Sequence, residues 1–133
     1  MNQKFKTLIL IASVLGFLAV MMGAFGAHAL KARISPESLD AYHTAVDYQF
    51  VHMLAIFAVA FLYRVYRIKG LYIIGLLFLV GTFLFSGSIY ILSLKDIIGI
   101  ESFGPFGLVT PLGGLFLLIA WASIFFTIIR IKT

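Results

Sequence analysis

Residues Leu71–Leu94 read LYIIGLLFLVGTFLFSGSIYILSL, a run without one charged side chain, interrupted only by Gly, Ser, Thr and Tyr. A hydrocarbon layer of about 30 Å is crossed by roughly 20 helical residues rising about 1.5 Å each. The run is long enough, and its small and hydroxylated residues are tolerated in a helix packed against others in lipid. It has no alternation of period two, which argues against a β-barrel. It is therefore read as a membrane-spanning helix.

Three further apolar stretches flank it, approximately Thr7–Leu30, Val46–Tyr63 and Gly107–Ile129. Of the 133 residues 62% are hydrophobic and 11% charged, with a mean hydropathy of +1.12, whereas a soluble domain carries about 25% charged residues. A water-soluble globule and a disordered chain are both excluded, and the length has room for one domain, residues 1–133. The absence of cysteine excludes disulfides, thiolate metal sites and cysteine nucleophiles. Lys4 and Lys6 before an apolar run ending in Ala27-His28-Ala29 resemble a secretory leader. The run is longer than the ~7–15 residues of such a segment, so it is expected to stay as the first span.

Charge sets the expected orientation. Lys4, Lys6, Arg64, Arg67, Lys69, Arg130 and Lys132, seven of the ten basic residues, fall at one set of span ends. Lys31, Arg33 and Lys95 share the other set with all five acids, Glu37, Asp40, Asp47, Asp96 and Glu101. The positive-inside rule then predicts both termini in the cytoplasm. The net charge of +5 follows from this topology and from attraction to anionic lipid headgroups. It gives no support to nucleic-acid binding, because no basic stripe interleaved with aromatics lies outside the spans.

Between spans one and two, KARISPESLDAYHTAV carries a helix start at Ser35-Pro36-Glu37: an N-cap, a proline at the first position, and an acid near the positive dipole end. Leu39, Tyr42, Val46 and Phe50 recur at helical spacing. The segment is either a short interfacial helix or an outward extension of span two, serving as a lid over the outer face or as a simple amphipathic connector. The tight turn after span two forces an antiparallel hairpin, whereas IESFGPFG before span four is looser. At an offset of about 61 residues Gly26 falls on Gly87 and Phe17 on Phe78, a weak sign of a duplicated hairpin.

Small residues mark the expected helix contacts. Ala12, Gly16, Ala19, Gly23 and Gly26 form one stripe on span one; Gly75, Thr82, Ser86 and Tyr90 form another on span three, with Gly87 beside it. Gly113 and Gly114 give span four its own close-approach point.

The polar residues within the spans cluster by depth. His28, Tyr48, Gln49, His52, Ser86, Ser88, Tyr90 and Thr110 all fall in the outer half or at the outer interface. Gln49 and His52, three apart, share a helix face. Polar groups at that depth are costly unless paired or wet, so the layer is either interhelical hydrogen-bond glue or a ligand pocket. His28 and His52, with His43 as a third, are the candidate metal or haem ligands, but no metal-site spacing accompanies them and no cofactor is expected. No catalytic constellation is found: Ser86-Gly87-Ser88 lacks the nucleophile-elbow pattern and no paired carboxylates lie in the spans. A non-enzyme is expected.

Four ordered motifs carry a family resemblance. Gly23-Ala24-Phe25-Gly26-Ala27-His28-Ala29-Leu30, Tyr48-Gln49-Phe50-Val51-His52, Leu84-Phe85-Ser86-Gly87-Ser88-Ile89-Tyr90 and Val109-Thr110-Pro111-Leu112-Gly113-Gly114 with Trp121 resemble the domain of unknown function 423 family. These are small bacterial inner-membrane proteins, to which the eukaryotic transmembrane protein 256 group is similar. The resemblance implies a four-span protein of the cytoplasmic membrane and supplies no reaction. The segment around Ile100–Phe106 is longer here than in the family pattern.

The expected architecture is all-α, a four-helix transmembrane bundle running up-down-up-down. The expected function is a binding or accessory protein whose outer polar layer holds a small ligand, a lipid or a partner's helix. The alternative is a small transporter or channel, built if need be as a homo-oligomer. Membrane lipids and a membrane-protein partner or second copy are the expected associates.

Overall fold

A computed structural model describes residues 2–100 and 104–131, and within these the side chains of residues 105 and 106 are left aside. Glu101 and Lys132, counted above for orientation, lie outside the described residues, as does the centre of the long segment before span four. Helix α1, Gln3–Phe25, starts at Asn2, whose side chain accepts from the Lys4 N–H at 2.9 Å. It runs on into a π-helical turn, Gly26–Leu30. Helix α2, Pro36–Tyr66, opens on the expected cap, with the Ser35 hydroxyl accepting from the Ser38 N–H at 3.1 Å and Pro36 in the first turn. It ends at Arg67, whose φ of 58° puts a non-glycine residue in the left-handed region. Helix α3, Lys69–Ser93, follows at once; the single turn α4, Lys95–Ile98, closes on Gly99. A 3₁₀ turn, Gly104–Leu108, leads into α5, Val109–Ile129.

α1 with its π turn, α2, α3 and α5 are each long and apolar enough to cross a membrane. Span two differs from its expected bounds. It begins at Pro36, so the amphipathic connection is an outward extension of α2 and not a separate helix. At 31 residues α2 is about 46 Å long.

The helices alternate in direction. Asn2 donates to the Tyr63 hydroxyl (3.2 Å) at one end of α1, while the Tyr42 hydroxyl donates to the Met22 carbonyl (2.9 Å) at the other. Tyr63 meets Tyr72, and Tyr42 meets Tyr90, at opposite ends of the α2–α3 pair. The described ends of the chain, Asn2 and Ile131, therefore share one end of the bundle with Lys4, Lys6, Arg64, Arg67, Lys69 and Arg130. In cross-section the order is α1, α2, α3, α5: α2 and α3 form the centre, α1 packs on α2, and α5 packs on α3. Ile56, Val59, Leu71 and Phe78 are fully buried in that centre. Phe17 on α1 and Leu118 on α5 stand 70% and 68% exposed, faces left to lipid.

With lipid as apolar as leucine, close approach holds such helices together. Ala12 and Ala19 are buried, and a Cβ on Gly16 would lie 3.2 Å from Met53 Cε, one on Gly23 3.5 Å from Val46 Cγ1. Between α3 and α5, Gly81 faces Leu117, and a Cβ on Gly113 would run into the Phe85 backbone. The two outer pairs share a register. Gly16 on Met53 and Gly23 on Val46 match Gly81 on Leu117 and Ser88 on Thr110, with equal spacing along each helix. This correspondence is offset by 64 to 65 residues, so Gly26 and Gly87 are not equivalent. Gly26 is pressed against the Tyr42 ring; a Cβ on Gly87 would meet no atom within 4 Å, so no helix contact requires glycine there. α1 also meets α3 toward the chain-terminal end, where Leu8 fills the notch at Gly75.

Candidate functional site

The polar layer separates into pairs, each at a different helix junction. The first ties three helices. Gln49, 6% exposed on α2, donates through Nε2 to the Leu15 carbonyl of α1 (2.8 Å) and accepts at Oε1 from the Tyr90 hydroxyl of α3 (2.9 Å). Tyr42 packs on Tyr90 at 5.0 Å between ring centres, and its hydroxyl reaches the Met22 carbonyl just before the π turn. A Cβ on Gly26 would come within 2.7 Å of the Tyr42 ring. Tyr42 thus belongs to the polar group, although helical periodicity alone marks it as an apolar position. Its hydroxyl was the available signal, since a buried phenol needs a partner.

The second group centres on His52, 4% exposed. Its Nε2 accepts from Trp121 Nε1 at 3.3 Å. Indole N–H only donates, so the imidazole proton sits on Nδ1, which donates to the Tyr48 carbonyl at 2.7 Å. Both ring nitrogens are engaged: the Nδ1 proton is donated and the single in-plane lone pair, on Nε2, faces the indole N–H. Tyr48 stacks on Phe85 at 4.4 Å, while Phe78 and Trp121 flank the imidazole. Trp121 entered the sequence reading only as part of a motif; its place opposite His52 depends on helix rotation.

The third pair joins α3 to the start of α5. The Ser88 hydroxyl donates to the Phe85 carbonyl at 2.9 Å and therefore accepts from the Thr110 hydroxyl at 2.6 Å. Ser86 and Thr82, one turn apart on α3 and each 2% exposed, have hydroxyls without a hydrogen-bond partner among the described residues. Both line a cavity of about 210 Å³ between α1 and α3, with Leu15, Leu18 and Gln49. Gly87 lines it as well.

His28 stands apart, exposed on the π turn. Gly26 of that turn packs on Tyr42, and His52 lies ten residues further along α2, a rise of about 15 Å. The two histidines do not meet. Among the described residues no three His, Asp or Glu side chains gather into a metal-binding group.

Because α5 packs on α3 and barely on α2, a groove opens between α2 and α5. It measures about 540 Å³ and is lined by Tyr48, Val51, His52, Phe85, Gly114, Leu117, Leu118 and Trp121. Small-molecule sites commonly span about 300–1,000 Å³ and are mostly apolar with a few fixed polar groups. The groove has that character, with His52 and Trp121 as its polar edge.

Four apolar helices tied by small-residue contacts and buried polar pairs define an integral membrane protein of the multi-span helical class. The family model described as "Protein of unknown function (DUF423)" matches residues 22–114, and the chain belongs to that family. The matched region holds all eight residues of the polar layer, from His28 to Thr110. The chain is 40% identical over 120 residues to UPF0382 membrane protein YwdK of Bacillus subtilis (strain 168), covering 90% of this chain and 93% of that protein. It is 33% identical over 127 residues to UPF0382 inner membrane protein YgdD of Escherichia coli (strain K12), covering 96% and 92%. To UPF0382 membrane protein SSP2132 of Staphylococcus saprophyticus it is 34% identical over 116 residues, covering 87% and 91%. No solved structure matches it significantly.

Proposed function

We propose that the protein is a non-enzymatic binding or accessory protein of the bacterial inner membrane that holds an apolar, membrane-dissolved small molecule or a single lipid chain in the α2–α5 groove. The observation that carries this reading is the groove itself: about 540 Å³, walled by Val51, Phe85, Leu117 and Leu118, with a Tyr48–His52–Trp121 edge. Tyr48 is 42% exposed and Trp121 45%, so two aromatic faces remain free for a guest. His52 is fixed by its two hydrogen bonds and holds the edge in place. A channel finds less support, because Gln49, Tyr90, His52, Trp121, Ser88 and Thr110 are taken up in hydrogen bonds at separate helix junctions and the unpartnered Thr82 and Ser86 hydroxyls line only a small cavity of about 210 Å³.

Both termini lie on the cytoplasmic side in this reading. The basic residues gathered at the terminal end favour it, and the Escherichia coli relative is named an inner membrane protein. Single-cysteine labelling at Lys69 and Asp40 tests it: Asp40→Cys is expected to react with an impermeant maleimide from outside intact cells and Lys69→Cys only after lysis.

Native mass spectrometry of the full chain in a mild detergent tests the groove. A defined apolar adduct is expected on the wild type. It is lost in Gly114→Leu, because a Cβ there meets only Phe85 ring carbons at 3.7 and 3.8 Å and the longer side chain enters the groove without disturbing the helix contact. A bare wild-type mass, or an adduct that survives Gly114→Leu, counts against the groove as a binding site.

A further inference from the structure

At the chain-terminal end a second cleft, about 590 Å³, lies between the α2–α3 turn and the end of α5, lined by Tyr66, Ile68, Ser123, Phe126, Thr127, Arg130 and Ile131. We propose that it binds the phosphate and glycerol backbone of one anionic glycerophospholipid. This is independent of the α2–α5 groove.

Charge is the first support. Arg64, Arg67, Lys69 and Arg130 gather at this end, and every acid of the described residues lies at the opposite one. No salt bridge neutralises them among the described residues, so the positive charge faces outward at the level where headgroups sit. Basic pockets between spans at such an interface are a recognised setting for anionic headgroups.

The hydroxyls are the second support. In the other helices Thr7, Ser13 and Thr44 each donate to a carbonyl one turn back in their own helix. Ser123 and Thr127, half-buried in the cleft, make no such bond, and neither they nor the Tyr66 hydroxyl have a partner among the described residues. Ser123, Thr127 and Arg130 follow one another at spacings of four and three, which places them on one face of α5.

Depth is the third. Thr127 lies about 4.5 Å and Ser123 about 10 Å further into the membrane than Arg130. That ladder suits a lipid whose phosphate meets Arg130 and the Tyr66 hydroxyl, whose glycerol backbone rests against Ile68 and Phe126, and whose ester carbonyls accept from Thr127 and Ser123. A guanidinium matches two phosphate oxygens at once, which a scattered lysine surface does not.

The full chain in mild detergent, titrated with phosphatidylglycerol, with phosphatidylcholine of the same chains and with inorganic phosphate, tests the assignment by native mass spectrometry. One phosphatidylglycerol is expected to bind about fivefold to tenfold more tightly than phosphatidylcholine. Arg130→Gln abolishes the preference, Thr127→Val weakens both lipids alike, and Arg64→Gln, at the same end but outside the cleft, leaves the preference intact. Equal losses in Arg64→Gln and Arg130→Gln would make the attraction diffuse and overturn the site. Displacement of the lipid by millimolar inorganic phosphate would overturn the lipid in favour of a free anion. Gly114→Leu is expected to leave this binding unchanged, so its failure and that of the groove are read separately.

Discussion

Gly113 and Gly114 are neighbours on α5, and replacing each with alanine is expected to move stability in opposite directions. A Cβ on Gly113 would lie 2.8 Å from Phe85 Cα and 2.9 Å from the Leu84 carbonyl carbon, where carbon atoms normally rest about 3.5–4.0 Å apart. Those are backbone atoms and cannot swing aside, so α3 and α5 must part by roughly 1 Å, a gap that forfeits a quarter to a half of each dispersion contact. Overpacking of this kind costs about 1–3 kcal/mol, and alanine's better helix propensity returns at most about 1 kcal/mol. At Gly114 the same Cβ meets only the Phe85 ring, at 3.7 Å, an ordinary contact. There the propensity gain stands alone, up to about 1 kcal/mol. Reversible unfolding in mixed micelles with a rising dodecyl sulfate fraction, followed by far-ultraviolet circular dichroism, measures both. The propensity gain is common to both, so Gly113→Ala is expected to fall roughly 1–3 kcal/mol below Gly114→Ala. A difference inside about 0.5 kcal/mol, the usual scatter of neutral changes, would refute the close approach of α3 and α5 at Gly113.

The same unfolding assay checks the three-helix tie: Gln49→Leu and Tyr90→Phe should each destabilise by about 1–2 kcal/mol, and the double variant by clearly less than their combined effect, because each single change orphans its partner. Additive losses would mean that the two side chains do not bond. Arg67→Gly should stabilise by up to about 1 kcal/mol, since glycine meets no steric cost at φ 58°; a loss would show that the guanidinium matters more than the turn. Gly26→Ala should destabilise by about 1–3 kcal/mol by driving into Tyr42, and Tyr42→Leu in the same chain should recover part of it. No recovery would place the cost in the π turn itself.

Span number was legible because it depends on a one-dimensional quantity, hydropathy along the chain. The Ser35-Pro36 cap was legible for the same reason. The continuity of α2 was not: Glu37, Asp40, Thr44 and Asp47 depress hydropathy over its first turns even though Leu39, Tyr42 and Val46 keep helical spacing. Rotation about each helix axis was the larger gap. It decides that Gln49 reaches Tyr90, that His52 reaches Trp121, and that His28 reaches neither. The π turn shifts that rotation at the end of α1, and no residue type announces it. Gly87 sits in a motif between Ser86 and Ser88, and the sequence offered no means to see that a Cβ there meets no atom of the described residues within 4 Å.

α2 is about 46 Å long against a hydrocarbon layer of about 30 Å. Some ten residues at its Pro36 end therefore overhang the layer even when the helix stands upright. An overhang of that length acts as a lever: a change of roughly 10° in tilt, well within the range spans adopt as a bilayer thins or thickens, sweeps its tip sideways by about 3 Å. Tyr42 sits near the fulcrum and grips Met22 and Tyr90, so α1 and α3 must follow the swing or lose those contacts. A swing of that kind loads the Tyr42–Met22 and Gln49–Tyr90 contacts, which set the spacing of α1, α2 and α3.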